Sequence, residues 1–466
     1  MSTLETGTET GIETRIRTAS APGGRTRTAP HPLRSELRRG FAPWAGLAFS
    51  ATVGIAMAMK APQWQGSWGA TQADLHIAST LLGGPLAAAA GCWHGGRERR
   101  RRTDELRASA ARGTLAQFLM ASLPVAAWIA AAYAVVAAGV FAATWPYASA
   151  SRPLLSPALA DAAFLVAMTL LGHVVGRLVA WRPAAPALAV CGYLALGVPT
   201  YGTAGIRHLS PASASDTGDL LPVWWQPLAA TVWVAGLAAA AVLACAASRK
   251  YTALLPLTAA AVAAVLITQT GDRMWRDDPL AHQQVCDTSV RPHICVSALY
   301  PGLLPEVKAA LSGLTQRLEG VENLPVRFED LAGEPKPDEA QLPMLTPMGW
   351  TLVRGELTDP ERYAGEAAAA LAAGDPCEAR LGDERASRVD STVADWLGPS
   401  RVRDTIERDS LRWAQQNGDK KVVAGIEADG AARARLASMG DDERRAWLSR
   451  YFATADSCDP KQVPAL

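Results

Sequence analysis

Seven predominantly apolar runs, at roughly 41–59, 75–95, 114–142, 157–177, 183–200, 225–247 and 251–270, fill most of the first 270 residues of this 466-residue chain. Crossing the hydrocarbon core of a bilayer takes about 20 apolar residues in a helix. Backbone at that depth has no water to bond to, so it must satisfy its own N–H and C=O groups, as a helix does. Seven such runs in series constrain the chain to a mainly α fold, a polytopic helical membrane protein of about seven spans. The fifth run is the shortest, and the third is long enough to tilt or to extend past the bilayer. Internal Pro, Gly and Ala are compatible with membrane helices, where small residues permit close contact.

The flanking regions differ in kind. Residues 1–40 are rich in Thr, Gly, Pro and Arg and hold few large apolar side chains. Too little surface can be buried there to offset ordering, so the segment reads as a disordered cytoplasmic N-terminus. It has no apolar core followed by a cleavage site of the secretory type, and Ser35–Arg39 is a candidate interfacial helix. Residues 272–466 are polar and well charged and read as a C-terminal, helix-rich α+β soluble domain. The expected division is therefore 1–40, a transmembrane helical domain at 41–271, and an extracytoplasmic domain at 272–466.

The loops assign the sides. Arg34, Arg38 and Arg39 precede the first run, and Arg97, Arg99 to Arg102, Arg107 and Arg112 follow the second. Arg177 and Arg182 follow the fourth, and Arg249 and Lys250 follow the sixth. The alternate loops at 60–74, 143–156 and 201–224 carry only Lys60, Arg152 and Arg207. Basic residues near short loops stay in the cytoplasm, which places the N-terminus inside and, with an odd number of spans, residues 272–466 outside. Many of the 15 Trp sit at run ends, including Trp44, Trp64, Trp145, Trp181, Trp225 and Trp275, as interfacial belts require. Cysteine usage agrees: Cys92, Cys191 and Cys245 lie in or beside the runs, and Cys286, Cys295, Cys377 and Cys458 lie in the tail. Four cysteines in an oxidising compartment point to two disulfides with three possible connectivities. Cys286–Cys295 with Cys377–Cys458 is the favoured pairing, and four reduced thiols in a cytoplasmic domain is the alternative.

Within the tail, 293–299 reads as a strand, and Leu304, Val307, Leu311, Leu314 and Leu318 fall at helical spacing over 303–319. A second strand is expected at 324–328, a Pro-rich loop at 332–349, and helices near 359–373, 386–396, 400–416 and 439–453. In the last of these Glu443, Arg444, Arg445, Trp447 and Arg450 read as a solvated face.

Several activities lack their residues. There is no G-x-x-x-x-G-K-[ST] to cradle nucleotide phosphates, no H-E-x-x-H and no G-x-S-x-G elbow. After His293 the chain has no histidine, so a histidine-ligated zinc hydrolase in the tail is not expected. His282 and His293 flank Cys286 and Cys295, where a metal set or a disulfide with bystander histidines are the two readings. No catalytic, cofactor-binding or metal residues are assigned, and no cofactor is expected. A net charge of +1 gives no reason to expect a nucleic-acid partner. Ionisable residues in the runs, His173 and Arg177 at one end and Asp74, His76 and Asp161 at the other, lie close enough to the ends to snorkel.

One stretch carries a more specific signal. Gly96-Arg97-Glu98-Arg99-Arg100-Arg101, Thr103, Glu105-Leu106, Ser109 and Arg112, directly before the third run, resemble the cytoplasmic loop between the second and third spans of six-helix ABC exporter permeases. Their pattern is of the type G-R-E-R-R-R-G-T-x-E-L-L-x-S-x-P-R; this chain has Arg102 at its Gly and Ala110 or Ala111 at its Pro. The resemblance covers about 41–249, and the seventh span and the tail are additions to it. It implies that the loop, through Arg97, Glu98, Arg99, Arg101, Thr103, Glu105 and Arg107, docks on a cytoplasmic ATP-binding-cassette ATPase subunit. It also implies a homo- or heterodimer of permeases in the membrane lipid bilayer, without enzyme activity of its own. A loop that only enforces topology, in a membrane-anchored extracytoplasmic binding or sensory module, is the other reading.

Overall fold

The computed structural model describes residues 40–97, 100, 113–150, 152–179, 181–202, 205–213, 220–330, 336, 338–345, 352–373, 378–455 and 457–466. Seven helices among them are long and apolar enough to cross a membrane: Ala42–Met59, Trp68–Gly95, Thr114–Thr144, Leu155–Leu178, Ala184–Tyr201, Gln226–Ala246 and Lys250–Met274. This is the architecture of a multi-pass membrane protein, and it is mainly helical. The N-terminal segment 1–39, with its candidate interfacial helix, lies outside the described residues.

The second span begins at Trp68, seven residues ahead of the apolar run that announces it. Its first turns are polar yet buried. The Ser67 side chain accepts from the Ala70 N–H and caps the helix. Thr71, fully buried, reaches the Trp64 carbonyl at 2.9 Å and the Thr144 hydroxyl at 2.9 Å. Hydropathy alone cannot see polar groups that are satisfied inside a bundle.

The closest backbone approach in the bundle joins the second and fourth spans. Gly91 and Gly95 face Gly172 and Gly176. A Cβ would lie 2.0 Å from the Thr169 carbonyl at Gly91, 2.4 Å from that of His173 at Gly95, 1.9 Å from that of Ala88 at Gly172 and 2.0 Å from that of Cys92 at Gly176. Two G-x-x-x-G stretches thus interlock, since only a hydrogen at Cα lets the two backbones touch. Around this seam, Phe49, Val53, Met57, Leu75, Val125, Ile129, Tyr133, Phe164 and Leu165 form the bundle core.

Contacts between spans sort the loops into two ends. At one end Thr114 donates to the Ala246 carbonyl at 2.5 Å, Gly96 abuts Gly176, and Phe41 stacks on His94. The described ends of the basic loops and residue 41 gather there. At the other end Gln72 bridges to Leu154 through its amide N (2.6 Å) and amide O (3.3 Å), and Ser210 donates to the Leu196 carbonyl at 2.6 Å. Here β1 (Leu220–Pro222) pairs antiparallel with β2 (Trp275–Asp277), tying the loop between the fifth and sixth spans to the exit of the seventh.

Residues 284–466 have a hydrophobic core of their own. Strands β3 (Gln284–Asp287), β4 (His293–Ser297), β5 (Arg327–Glu329) and β6 (Glu339–Gln341) form one sheet in the order β3-β4-β5-β6. The first pair is antiparallel and the other two parallel. Helix Leu304–Arg317 lays Val307, Leu311 and Leu314 on it, as the spacing predicts. Helices Pro360–Ala373, Glu384–Leu397, Arg401–Asn417 and Asp441–Phe452 lie within three residues of their expected bounds. Two local readings change. The segment expected to be a Pro-rich loop contributes β6, because Phe328 and Ala340 are paired and buried. Trp447 is 3% exposed and belongs to the core, and Arg444 lies over the Trp396 ring at 4.4 Å rather than in a solvated face. A helix over Lys420–Ser438 was not signalled by the sequence, since Gly425 and Gly430 interrupt it and only Leu436 is fully buried.

This region touches the bundle at its non-basic end. A Cβ on Gly66 would stand 2.6 Å from the Gly355 nitrogen, and both residues have positive φ, +108° and +76°. Glycine is required at such a crossing for both reasons. The Gly302 N–H donates to the Ser149 hydroxyl at 3.0 Å.

Candidate functional site: a buried charged network beneath the non-basic end

The second span changes pitch at a π-helical stretch, Ala78–Gly83. Such a turn releases carbonyls from the regular ladder, and the His76 carbonyl is instead taken up by the Thr80 hydroxyl at 2.6 Å and the Ser79 hydroxyl at 3.1 Å. The irregularity sets the His76 side chain against the fourth span. There its Nδ1 lies 2.6 Å from Asp161 Oδ1, and the Tyr133 hydroxyl of the third span donates to Asp161 Oδ2 at 3.2 Å. Three spans therefore meet at a single carboxylate.

Asp161 is 4% exposed and Tyr133 2%. A carboxylate at such a place is costly unless paired, and here it has an imidazole and a phenol. The sequence expectation that His76 and Asp161 snorkel independently toward the interface is corrected: they face each other inside the bundle. Asp74 instead stays near Lys60, 3.9 Å away. The composition did hold a signal, since Asp161 is the single acid of the fourth run; what it lacked was the long-range partner, 85 residues away.

The network borders a cavity of about 120 Å³. The second span contributes Gln72, Ala73 and Thr80 to its wall, and the fourth contributes Pro157, Ala160 and Phe164. The sixth adds Ala230, Trp233 and Val234, and the β1–β2 pair adds Leu221 and Trp275. His208 also lines it. Burial, with the Arg207 guanidinium beside it, holds the His208 imidazole below its usual range against the opposing pull of Asp272. An apolar concavity with a few convergent polar groups is the ordinary form of a small-ligand site.

The expected partner-coupling residues are placed only in part. Arg97 continues from the end of the second span, and Arg100, one turn on, donates to the Trp93 carbonyl and lies 4.6 Å over its ring. Glu98, Arg99, Arg101, Thr103, Glu105 and Arg107 lie outside the described residues. Beside this end, His173 is buried edge-on to Phe118 at 4.8 Å, and Arg177 lies over the Phe118 ring at 5.4 Å.

Of the expected disulfides, Cys286–Cys295 is present, S–S 2.06 Å, joining directly paired residues of β3 and β4. Cys458 is disulfide-bonded as well, while Cys377 lies outside the described residues. The first bridge removes both sulfurs from any metal set with His282 and His293; His282 faces Asp277 at 3.3 Å. In the sheet, burial and a hydrogen bond to Glu339 push the Glu329 carboxyl above its usual range. Glu339, despite burial that opposes it, is held low by the Lys336 N–H and Arg327. Comparison with protein-family models, curated proteins and solved structures gave no match.

Proposed function

We propose that this chain is the membrane-spanning permease subunit of an ABC-type transporter, energised by a separate ATP-binding subunit and acting as a homo- or heterodimer of permeases. The observation that carries the reading is the sequence from Gly96 to Arg112, set between the second and third spans at the end that also holds the described residues of the other basic loops. On this reading that end is cytoplasmic. The seventh span then exports residues 272–466 as an α+β domain, and its disulfide chemistry suits an oxidising compartment. The glycine seam supplies a mechanical reason for coupling. Because the second and fourth spans touch along their backbones as far as Gly96 and Gly176, a displacement of the arginine loop moves both helices together. Those same helices carry His76 and Asp161 at the far end.

Co-expression with a candidate ATP-binding-cassette ATPase, chosen by looking for such a gene beside this one, followed by affinity purification, tests the reading. The expected result is a stable complex that is lost when Arg99, Arg101 and Arg107 are changed to Glu together. No complex with the unaltered loop, or an intact complex after the reversal, contradicts it. A second reading, a membrane-anchored extracytoplasmic binding or sensory module, is favoured by the separate core of residues 284–466. It predicts that 277–466 expressed alone folds and binds its ligand, with no ATPase partner for the spans.

A further inference from the structure

The cavity under the His76–Asp161–Tyr133 network is balanced in charge. Among the described residues three titratable side chains line it, His76, Asp161 and His208. His76 Nδ1 lies 2.6 Å from the Asp161 carboxylate. An imidazolium at that distance forms an ion pair with the carboxylate, and the pair carries no net charge. His208 Nε2 lies 3.3 Å from both the Arg207 guanidinium and the Asp272 carboxylate, and burial favours its uncharged form. Nearby Asp74 and Lys60 answer each other outside the wall. Most of the other polar side chains of the wall are already engaged: Gln72 with Leu154, Thr80 with His76, and Thr231 with the Pro227 carbonyl at 2.7 Å.

We infer that this cavity is a binding site for a small uncharged amphiphile, an aromatic or aliphatic body about the size of one ring bearing a single hydroxyl or amide. Phe164, Trp233 and Trp275 supply apolar and aromatic walls, and the volume suits one ring. The carboxylate edge of Asp161, with lone pairs beyond those used by His76 and Tyr133, accepts the ligand's one hydrogen bond. Among the described residues the wall offers a charged ligand only the Asp161 carboxylate, already paired with His76, as a counter-ion, so a ligand of either charge is disfavoured. The site takes its ligand from the non-basic end of the bundle, and the inference stands whether or not an ATPase drives the spans.

The full chain in lipid nanodiscs, titrated with 4-bromobenzyl alcohol, 4-bromobenzylamine and 4-bromobenzoate, tests this through bromine quenching of tryptophan fluorescence. The alcohol is expected to give a saturable quench, with both ions weaker by about tenfold or more, a difference of about 1.4 kcal/mol. Filling the wall by Ala230→Phe abolishes the saturable component and leaves only the linear bilayer background. His76→Gln uncovers the Asp161 charge and shifts the preference to the amine. No saturable quench by the alcohol, an ion that binds as well as the alcohol to the unaltered chain, or saturation that survives Ala230→Phe overturns the assignment.

Discussion

Gly172→Leu abolishes the folded bundle, whereas Gly139→Leu leaves it intact. The new Cβ at 172 would sit 1.9 Å from the Ala88 carbonyl oxygen and 2.7 Å from its carbon. These are backbone atoms of a facing helix, so no rotamer change relieves the overlap. The second and fourth spans must separate by more than an ångström along a seam that repeats the same contact at Gly91, Gly95 and Gly176. Overpacking a well-fitted core costs about 1–3 kcal/mol when side chains can adjust, and here the obstacle is main chain, which puts the expected loss at the top of that range or beyond. At Gly139, in the third span, an added Cβ meets nothing within 4 Å. The thermal midpoint and monodispersity of the two purified variants make the comparison: Gly172→Leu is aggregated or strongly lowered, and Gly139→Leu lies within a few degrees of the parent. Equal behaviour of the two would mean that the seam does not organise the bundle.

The second large effect is expected at Asp161. Asp161→Ala removes the partner of a half-buried imidazole and strands the Tyr133 hydroxyl, which is 2% exposed. Breaking one side of a buried pair costs about 3–5 kcal/mol when the charge left behind is fixed. Histidine limits this by giving up its proton, so a loss of about 2–4 kcal/mol is expected, counting the unsatisfied phenol. Tyr133→Phe removes one hydrogen bond and is milder, about 1 kcal/mol. The sharper measurement is the double variant: Asp161→Ala with His76→Ala is expected to cost clearly less than the sum of the two single changes, because the pair acts as a unit. Additive losses would show that the 2.6 Å contact is not an energetic coupling.

The spans were legible in the sequence because each is a local composition of about 20 residues, and all seven runs coincide with a helix. The strand at 293–297 and the helix at 304–317 followed from spacing, and the Cys286–Cys295 bridge from proximity along the chain. What escaped depended on partners far away in sequence. The polar opening of the second span reads as loop until Thr144 is seen against Thr71. His76 and Asp161 read as separate interfacial residues until the π stretch after His76 turns one toward the other. Two G-x-x-x-G stretches were visible as letters, but nothing local said that they face each other. Helix 420–438 failed for a different reason, with glycines inside it and little apolar face to mark it.

The central claim is that the arginine loop and the C-terminal region lie on opposite faces of the membrane, the loop inside. It is tested most directly with Cys92, Cys191 and Cys245 replaced by Ser and single cysteines introduced as Ser109→Cys and Ser410→Cys. Labelling with a membrane-impermeant maleimide is then compared in right-side-out and inverted vesicles. The account predicts that Ser410→Cys, at an exposed position on helix Arg401–Asn417, reacts only in right-side-out vesicles, and that Ser109→Cys reacts only in inverted ones. Reaction of Ser410→Cys from the cytoplasmic face alone would contradict it.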